Sequence, residues 1–382
     1  MKIAIDLTST QKNKTGIGRY MLGILIGLQK IDKENEYYLF AQDDDLDGFG
    51  IYAPNFHMVP VKSSILRKTY IRILWEQFVF PFRVKKLGID VLHCPNYTMP
   101  YISRLIDRKL AVVSTFHDMA YFLHPEYLIG WKRRMFCGYI KQTARSCDKI
   151  VAVSHNTAED SLTCSKPRNK DIEVTYLGVD EAFFDTPAAT ADIRAKYKIP
   201  EKYILYVGTL EPRKNVVGLI KGYRELSEEI RDEYKLVITG KKGWYYDETF
   251  SIVNADPLLQ NNVIFTGFVD DQDMIPLMKA AEAVGYVSFF EGFGLPVLEA
   301  MASGVPVVTT SGSSLSEVAG DCGYLCDPHD PSDIAKALQR SLNDSEDKTG
   351  RALERARTFT WQRCGEHTLK AYNDAVKFRR GQ

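Results

Sequence analysis

The chain has 382 residues, too many for one small core and enough for two domains of about 150–200 residues each. Apolar residues make up 45% and charged residues 26%, a balance that excludes a disordered or fibrous chain. Its 49 Lys and Arg offset 49 Asp and Glu, so no global field draws in nucleic acid, although residues 1–180 are net basic and the remainder net acidic.

The opening Met1-Lys2-Ile3-Ala4-Ile5-Asp6 reads as a strand running into a polar loop, not as a secretory leader. No apolar run nears the roughly 18–20 residues that cross a bilayer. The expectation is a cytoplasmic protein. Buried parallel strands are expected at Ile3–Leu7, Tyr37–Phe40, His57–Val61, Val91–Cys94, Val112–Phe116 and Ile150–Ser154, with helical stretches near 17–30, 67–87, 131–146 and 155–164. The pattern loosens over 172–200. A second series then follows, with strands at Tyr203–Val207, Leu236–Thr239, Val263–Phe265, Val284–Val287 and Val307–Thr309. Two such series imply an α/β chain of two doubly wound, Rossmann-like domains, 1–180 and 200–357, each binding ligands outside the carboxyl ends of its strands. Seven cysteines, none in C-x2-C spacing, read as reduced thiols and not as a zinc site.

Two segments carry the chemistry. In Ser288-Phe289-Phe290-Glu291-Gly292-Phe293-Gly294-Leu295-Pro296, a strand gives way to a glycine loop, with Pro296 in the first turn of a helix. The loop presents the amides of Phe293, Gly294 and Leu295 at the helix N-terminus, a site for an anion, and Glu291 and Glu299 bracket it. The bland alternative is a strand-to-helix turn with a solvated Glu299. In Gly208-Thr209-Leu210-Glu211-Pro212-Arg213-Lys214-Asn215, two adjacent cations precede a helix, where the dipole favours anions instead. A bound diphosphate would relieve that conflict. Otherwise the segment is a solvated basic turn.

In this order and spacing, the two segments resemble the family 4 retaining glycosyltransferases of GT-B fold, bacterial surface-polysaccharide mannosyltransferases among them. Glu291-x7-Glu299 followed by Ala300-Met301-Ala302-Ser303-Gly304-Val305-Pro306 matches the family's donor-sugar signature, and the resemblance extends over the whole chain. It implies a helix over about 358–382 that packs back on the first domain. It also implies a nucleotide-diphosphate-sugar substrate, GDP-mannose by overall likeness, with no cofactor and no metal, and a glycan or lipid-linked glycan acceptor. By position, Glu299 takes the ribose hydroxyls, Glu291 the transferred sugar, and Arg213 and Lys214 the diphosphate. Gly208 and Thr209 open the phosphate loop, with Thr209 standing where many members carry an arginine. His117, at the end of a strand, matches a histidine that lines the donor sugar. A nucleotide-sugar 2-epimerase and a non-catalytic nucleotide- or glycan-binding subunit are the alternatives.

Three further features need a reading. Gly16-Ile17-Gly18 lacks the third glycine of a dinucleotide fingerprint, since Met21 stands there, so these glycines are read as letting a loop approach donor phosphates or acceptor. Asp43-Asp44-Asp45 lies in a polar stretch away from a strand end and is read as a solvated loop. Residues 62–86 hold seven cations against Glu76 alone, with Tyr70, Trp75, Phe78, Phe80 and Phe82 interleaved, and 131–145 open on a second basic-aromatic run. These are either ordinary amphipathic helices or a peripheral contact with the anionic inner face of a membrane.

Overall fold

Runs that are apolar on both faces pair in parallel and need cover on both sides. In the computed structural model, which describes residues 1–10, 14, 16–127, 130–344 and 347–382, they form two sheets. The first comprises β1 (Lys2–Asp6), β2 (Glu36–Gln42), β3 (Phe56–Val61), β4 (Val91–Cys94), β5 (Ala111–Phe116), β6 (Lys149–Ala152) and β7 (Ile172–Val174), in the order β3-β2-β1-β4-β5-β6-β7. The second comprises β8 (Tyr203–Val207), β9 (Lys235–Thr239), β10 (Val263–Gly267), β11 (Ala283–Tyr286), β12 (Val307–Thr310) and β13 (Tyr324–Cys326), in the order β10-β9-β8-β11-β12-β13. All of the pairings are parallel. The edge strands β7 and β13 escaped the sequence reading because three residues are too few to show a period.

The described residues divide into one unit of 1–178 with 360–382 and another of 179–359. The loosely patterned stretch from 179 to 199 thus belongs to the second unit. The helices that matter below are α1 (Ile17–Ile31), α2 (Thr69–Phe78), α3 (Phe80–Leu87), α4 (Gly130–Ser146), α5 (Val216–Arg224), α6 (Leu295–Ala302) and α7 (Trp361–Arg380). Where the sequence suggested one helical stretch over 67–87, a short helical turn at Ser63–Leu66 precedes separate helices α2 and α3. Pro81 explains the second break, because it has no amide to donate and suits only the first turn of a helix.

α7 completes the first unit by packing on α1 through glycines. A Cβ on Gly27 would stand 1.9 Å from the Trp361 carbonyl oxygen, and one on Gly23 would stand 2.2 Å from the Trp361 ring. Thr360 caps α7 by accepting from the Arg363 amide. A buried polar chain fixes the far side of the helix: Tyr372 and Thr115 each lie 2.8 Å from a ring nitrogen of His93. Burial pushes His93 down to about 3, so the ring is neutral. His93 is thus a structural pin between α7 and the strands β4 and β5.

Candidate functional site

In the second sheet, β8 and β11 are neighbours, and the strand order reverses between them. Ligands bind at such switch points in open α/β sheets. The loop after β8 carries Gly208 to Lys214, and the loop after β11 carries Ser288 to Gly294, so the fold brings the two sequence segments together. Pro212–Lys214 form a single 3₁₀ turn. Asn215 then takes a left-handed conformation and caps α5 with its side-chain oxygen on the Gly218 amide, while its amide nitrogen donates to Val287 and Pro328. Phe289 donates its amide to the Arg213 carbonyl at 2.9 Å, which sews one loop to the other.

Three predicted residues meet directly. Arg213 Nη1 is 2.8 Å from Glu291 Oε2 and donates to the Phe290 carbonyl at 2.6 Å, while Nη2 is 2.8 Å from Glu211 Oε1. Lys214 Nζ donates at 2.5 Å to Glu291 Oε1 and, at the same distance, to the Tyr286 hydroxyl. That hydroxyl in turn donates to Glu291 Oε1 at 3.0 Å. Glu211, Glu291 and Tyr286 are buried. Burial alone would raise the Glu291 carboxyl, but Arg213 and Lys214 outweigh it and hold the carboxyl at about 2. Burial and the Arg213 charge depress Lys214, and Glu291 and Glu211 oppose that fall.

From the sequence alone, two adjacent cations at a helix start conflict with the dipole, and a bound diphosphate is what would relieve the conflict. The structure corrects that premise: Glu211 and Glu291 already neutralise them within the chain. Glu211, Asn215 and Tyr286 are the residues that sequence reasoning missed. The acid two residues before Arg213 was a visible signal, whereas nothing local pairs Tyr286 with Lys214, 72 residues earlier.

The helix start follows as expected. Gly294 has φ 98° and precedes α6, with Pro296 in its first turn. A Cβ there would meet Leu315 at 2.4 Å, so both backbone and packing demand glycine. Phe293 is buried, its ring edge-on to Phe359, Leu295 opens α6, and Glu299 is buried on the second turn. Ser314 Oγ donates to the Glu291 carbonyl at 2.7 Å and fixes the loop. On the other loop, Gly208 donates its amide to Thr239 at 3.0 Å, and Thr209 is exposed.

The remaining predicted residues belong to the first unit. Gly16 has φ 49° and caps α1, and Gly18 lies buried in its first turn. His117 follows β5 and is half-buried, with its ring edge-on to Tyr20 at 4.9 Å and to Tyr97 at 5.6 Å. Its Nε2 donates to the Pro95 carbonyl at 2.8 Å, which leaves Nδ1 as the acceptor, and burial lowers its pKa.

Asp43-Asp44-Asp45 requires a correction, because β2 extends to Gln42 and the triad does follow a strand end. Gln42 continues the parallel ladder opposite Val61, beyond where the apolar run stops. The three carboxylates point to different partners: Asp43 accepts from the Ser63 amide, Asp44 pairs with Arg67 and Asp45 pairs with Lys14.

Comparison with known proteins now decides the family. Residues 14–183 match the model for Glycosyltransferase Family 4, and residues 190–358 match that for Glycosyl transferases group 1. The chain is 34% identical to the O-antigen chain mannosyltransferase B of Escherichia coli over 97% of its own length and 99% of that protein's. This chain belongs to glycosyltransferase family 4. Its fold matches that of sucrose-phosphate synthase from Thermosynechococcus elongatus, with TM-score 0.77 and 19% identity over 97% and 98% of the two chains. It also matches Anabaena HepE in complex with UDP-glucose, with TM-score 0.72 and 17% identity over 97% and 98%. The architecture is GT-B.

The basic-aromatic segment of this glycosyltransferase is sorted by its helices. Tyr70, Leu74 and Phe78, spaced four apart on one face of α2, are exposed, as are Val79 and Phe82. Trp75 and Phe80, aromatics of the same segment, instead stack on each other at 5.0 Å and pack into the core. Arg67 is occupied by Asp44, Lys85 donates to the Ile106 carbonyl, and Arg83 lies over the Phe40 ring. Lys62, Lys68 and Lys86 are exposed. Glu76, the anion expected to oppose them, is buried and pushed up to about 8 by that burial and the nearby Asp6 charge. In α4, Trp131 is exposed, whereas Phe136 stacks on Tyr121. No helix among the described residues is long and apolar enough to cross a membrane.

Proposed function

We propose that this glycosyltransferase moves a hexose, mannose, from a nucleotide-diphosphate sugar, GDP-mannose, to a glycan or lipid-linked glycan in surface-polysaccharide synthesis, retaining the anomeric configuration and using no metal. The observation that carries this reading is the cluster of Arg213, Lys214 and Glu291 on the two loops at the β8/β11 switch point, the second of which leads into the N-terminus of α6. The mannosyl choice is supported by the O-antigen relative. A nucleotide-sugar donor is supported by the UDP-glucose bound to HepE.

In this reading, Arg213 and Lys214 hold the diphosphate, supported by the amides of Phe293, Gly294 and Leu295 and the loop from Gly208 and Thr209. Glu299 accepts from the ribose hydroxyls. Glu291 accepts from hydroxyls of the hexose. The acceptor oxygen bonds to the anomeric carbon on the face the leaving group quits, the bond from that carbon to the phosphate oxygen breaks, and the acceptor proton passes to a phosphate oxygen. The chain contributes leaving-group stabilisation and positioning. Through Tyr70, Leu74, Phe78 and Phe82, rimmed by Lys62, Lys68 and Lys86, the first unit docks on an anionic membrane that carries the acceptor.

The test is to supply GDP-mannose with and without excess EDTA to a mannose-terminated oligosaccharide and to read the new linkage by NMR. The expected product is an α-mannoside formed in both cases. A β-mannoside, or activity lost to EDTA and restored by magnesium or manganese, would overturn the mechanism.

A further inference from the structure

Tyr286 is the last residue of β11, and its hydroxyl sits between the two charges whose separation the donor site must control. A phenol has one proton to give and two lone pairs to accept with. Here the proton goes to Glu291 Oε1 at 3.0 Å, and a lone pair takes a proton from Lys214 Nζ at 2.5 Å. The ring cannot drift from this place. It is 1% exposed, stacks against Tyr206 with ring centroids 6.0 Å apart, and its own carbonyl accepts from Thr309 Oγ1.

The consequence follows from the charges. In the free protein, Glu291 satisfies both Lys214 and Arg213. A diphosphate drawn to those cations must take them from Glu291, which would leave a buried carboxylate short of partners, a costly state. The phenol is the donor that stays. We propose that Tyr286 is a positioning residue that bridges Lys214 and Glu291 through its hydroxyl, keeping the ammonium charged and the carboxylate ionised and aimed while the cations pass to the diphosphate. The roles of Glu291 and Lys214 are those of the donor-site reading above.

The sign of the effect is fixed by the two hydrogen bonds. Burial already depresses Lys214, and losing an acceptor depresses it further, so the ammonium deprotonates at lower pH. The other charged groups acting on Lys214 are Glu291, Arg213 and Glu211, and Tyr206 also faces Tyr286. Tyr206 directs its hydroxyl at the Thr209 carbonyl. The variant Tyr286→Phe keeps the ring and its stacking and removes only the bridge. Tyr206→Phe removes a hydroxyl from the same aromatic pair without touching the bridge.

The measurement is calorimetric binding of inorganic pyrophosphate from pH 6 to 10, with thermal unfolding recorded alongside to confirm a folded protein. In wild type, affinity should fall at the alkaline end as Lys214 loses its proton. In Tyr286→Phe that fall should begin at lower pH, with affinity roughly tenfold weaker at pH 8, while Tyr206→Phe keeps the wild-type profile. Wild type and Tyr286→Phe sharing one alkaline limit, or both phenylalanine variants shifting alike, would overturn the bridging role. Failure of the wild type to bind pyrophosphate at all would instead overturn the donor-site reading.

Discussion

Replacing Glu291 by Gln removes the buried charge that two half-buried cations share. A carboxyl held at about 2 in the folded protein, against an ordinary 4.5, stabilises the fold by about 3 kcal/mol, at about 1.4 kcal/mol for each pKa step. Mutational experience with one-sided removal of a buried ion pair gives a similar figure, about 3–5 kcal/mol. In a unit of this size each kcal/mol moves the midpoint by about 2–4 °C, so the 179–359 unit of the variant should melt roughly 6–12 °C lower at pH 7. Because the folded pKa is the depressed one, the stabilisation is fully present above the unfolded value and is lost as pH falls through the folded value. The gap between wild type and variant should therefore hold from pH 7 to 5 and narrow towards pH 3. Thermal unfolding followed by tyrosine fluorescence at a series of pH values measures this. Equal midpoints at pH 7, or a gap that does not change with acid, would refute the charge-sharing cluster.

Three other outcomes are expected. Glu299→Gln should weaken binding of free GDP about tenfold, the worth of a lost charged hydrogen bond, whereas Glu291→Gln should leave it within a few-fold; calorimetry that shows equal losses would contradict the division of ribose and hexose roles. The protein should co-sediment with anionic vesicles at low salt and release them at high salt. Changing Lys62, Lys68 and Lys86 to Glu should abolish that binding, each lysine contributing on the order of 1 kcal/mol, and a wild type that ignores such vesicles would reduce the α2–α3 face to an ordinary solvated surface. Gly27→Ala should destabilise the first unit by about 3 kcal/mol through overpacking against Trp361, and an unchanged midpoint would mean that α1 and α7 do not pack through that glycine.

What the sequence made legible was whatever repeats locally. Buried strands announce themselves as short apolar runs, so eleven of the strands, β1 to β6 and β8 to β12, could be placed within a few residues of their ends. The strand-to-helix turn at Gly294 was legible too, because glycine and proline there answer a backbone demand. The short edge strands β7 and β13 were not, since their register is set by a neighbour and not by their own pattern. Partnership was the harder part. Arg213 and Lys214 could be singled out as cations at a helix start, and Glu211 stood two residues away, but Glu291, the carboxylate they share, becomes their partner only when β8 and β11 lie side by side. Tyr286 reads as one more strand residue until its hydroxyl is seen between Lys214 and Glu291. The same limit held for Trp75 and Phe80, whose helical spacing could not tell an inward face from an outward one.

The most direct test of the donor site is a titration of GDP into wild type and Lys214→Ala. Lys214 donates two charged hydrogen bonds in the free protein, and the site assigns that charge to the diphosphate. Saturable binding to wild type that weakens at least tenfold in a folded Lys214→Ala protein is the predicted result. Wild-type affinity for GDP in that variant would place the diphosphate elsewhere and contradict the account.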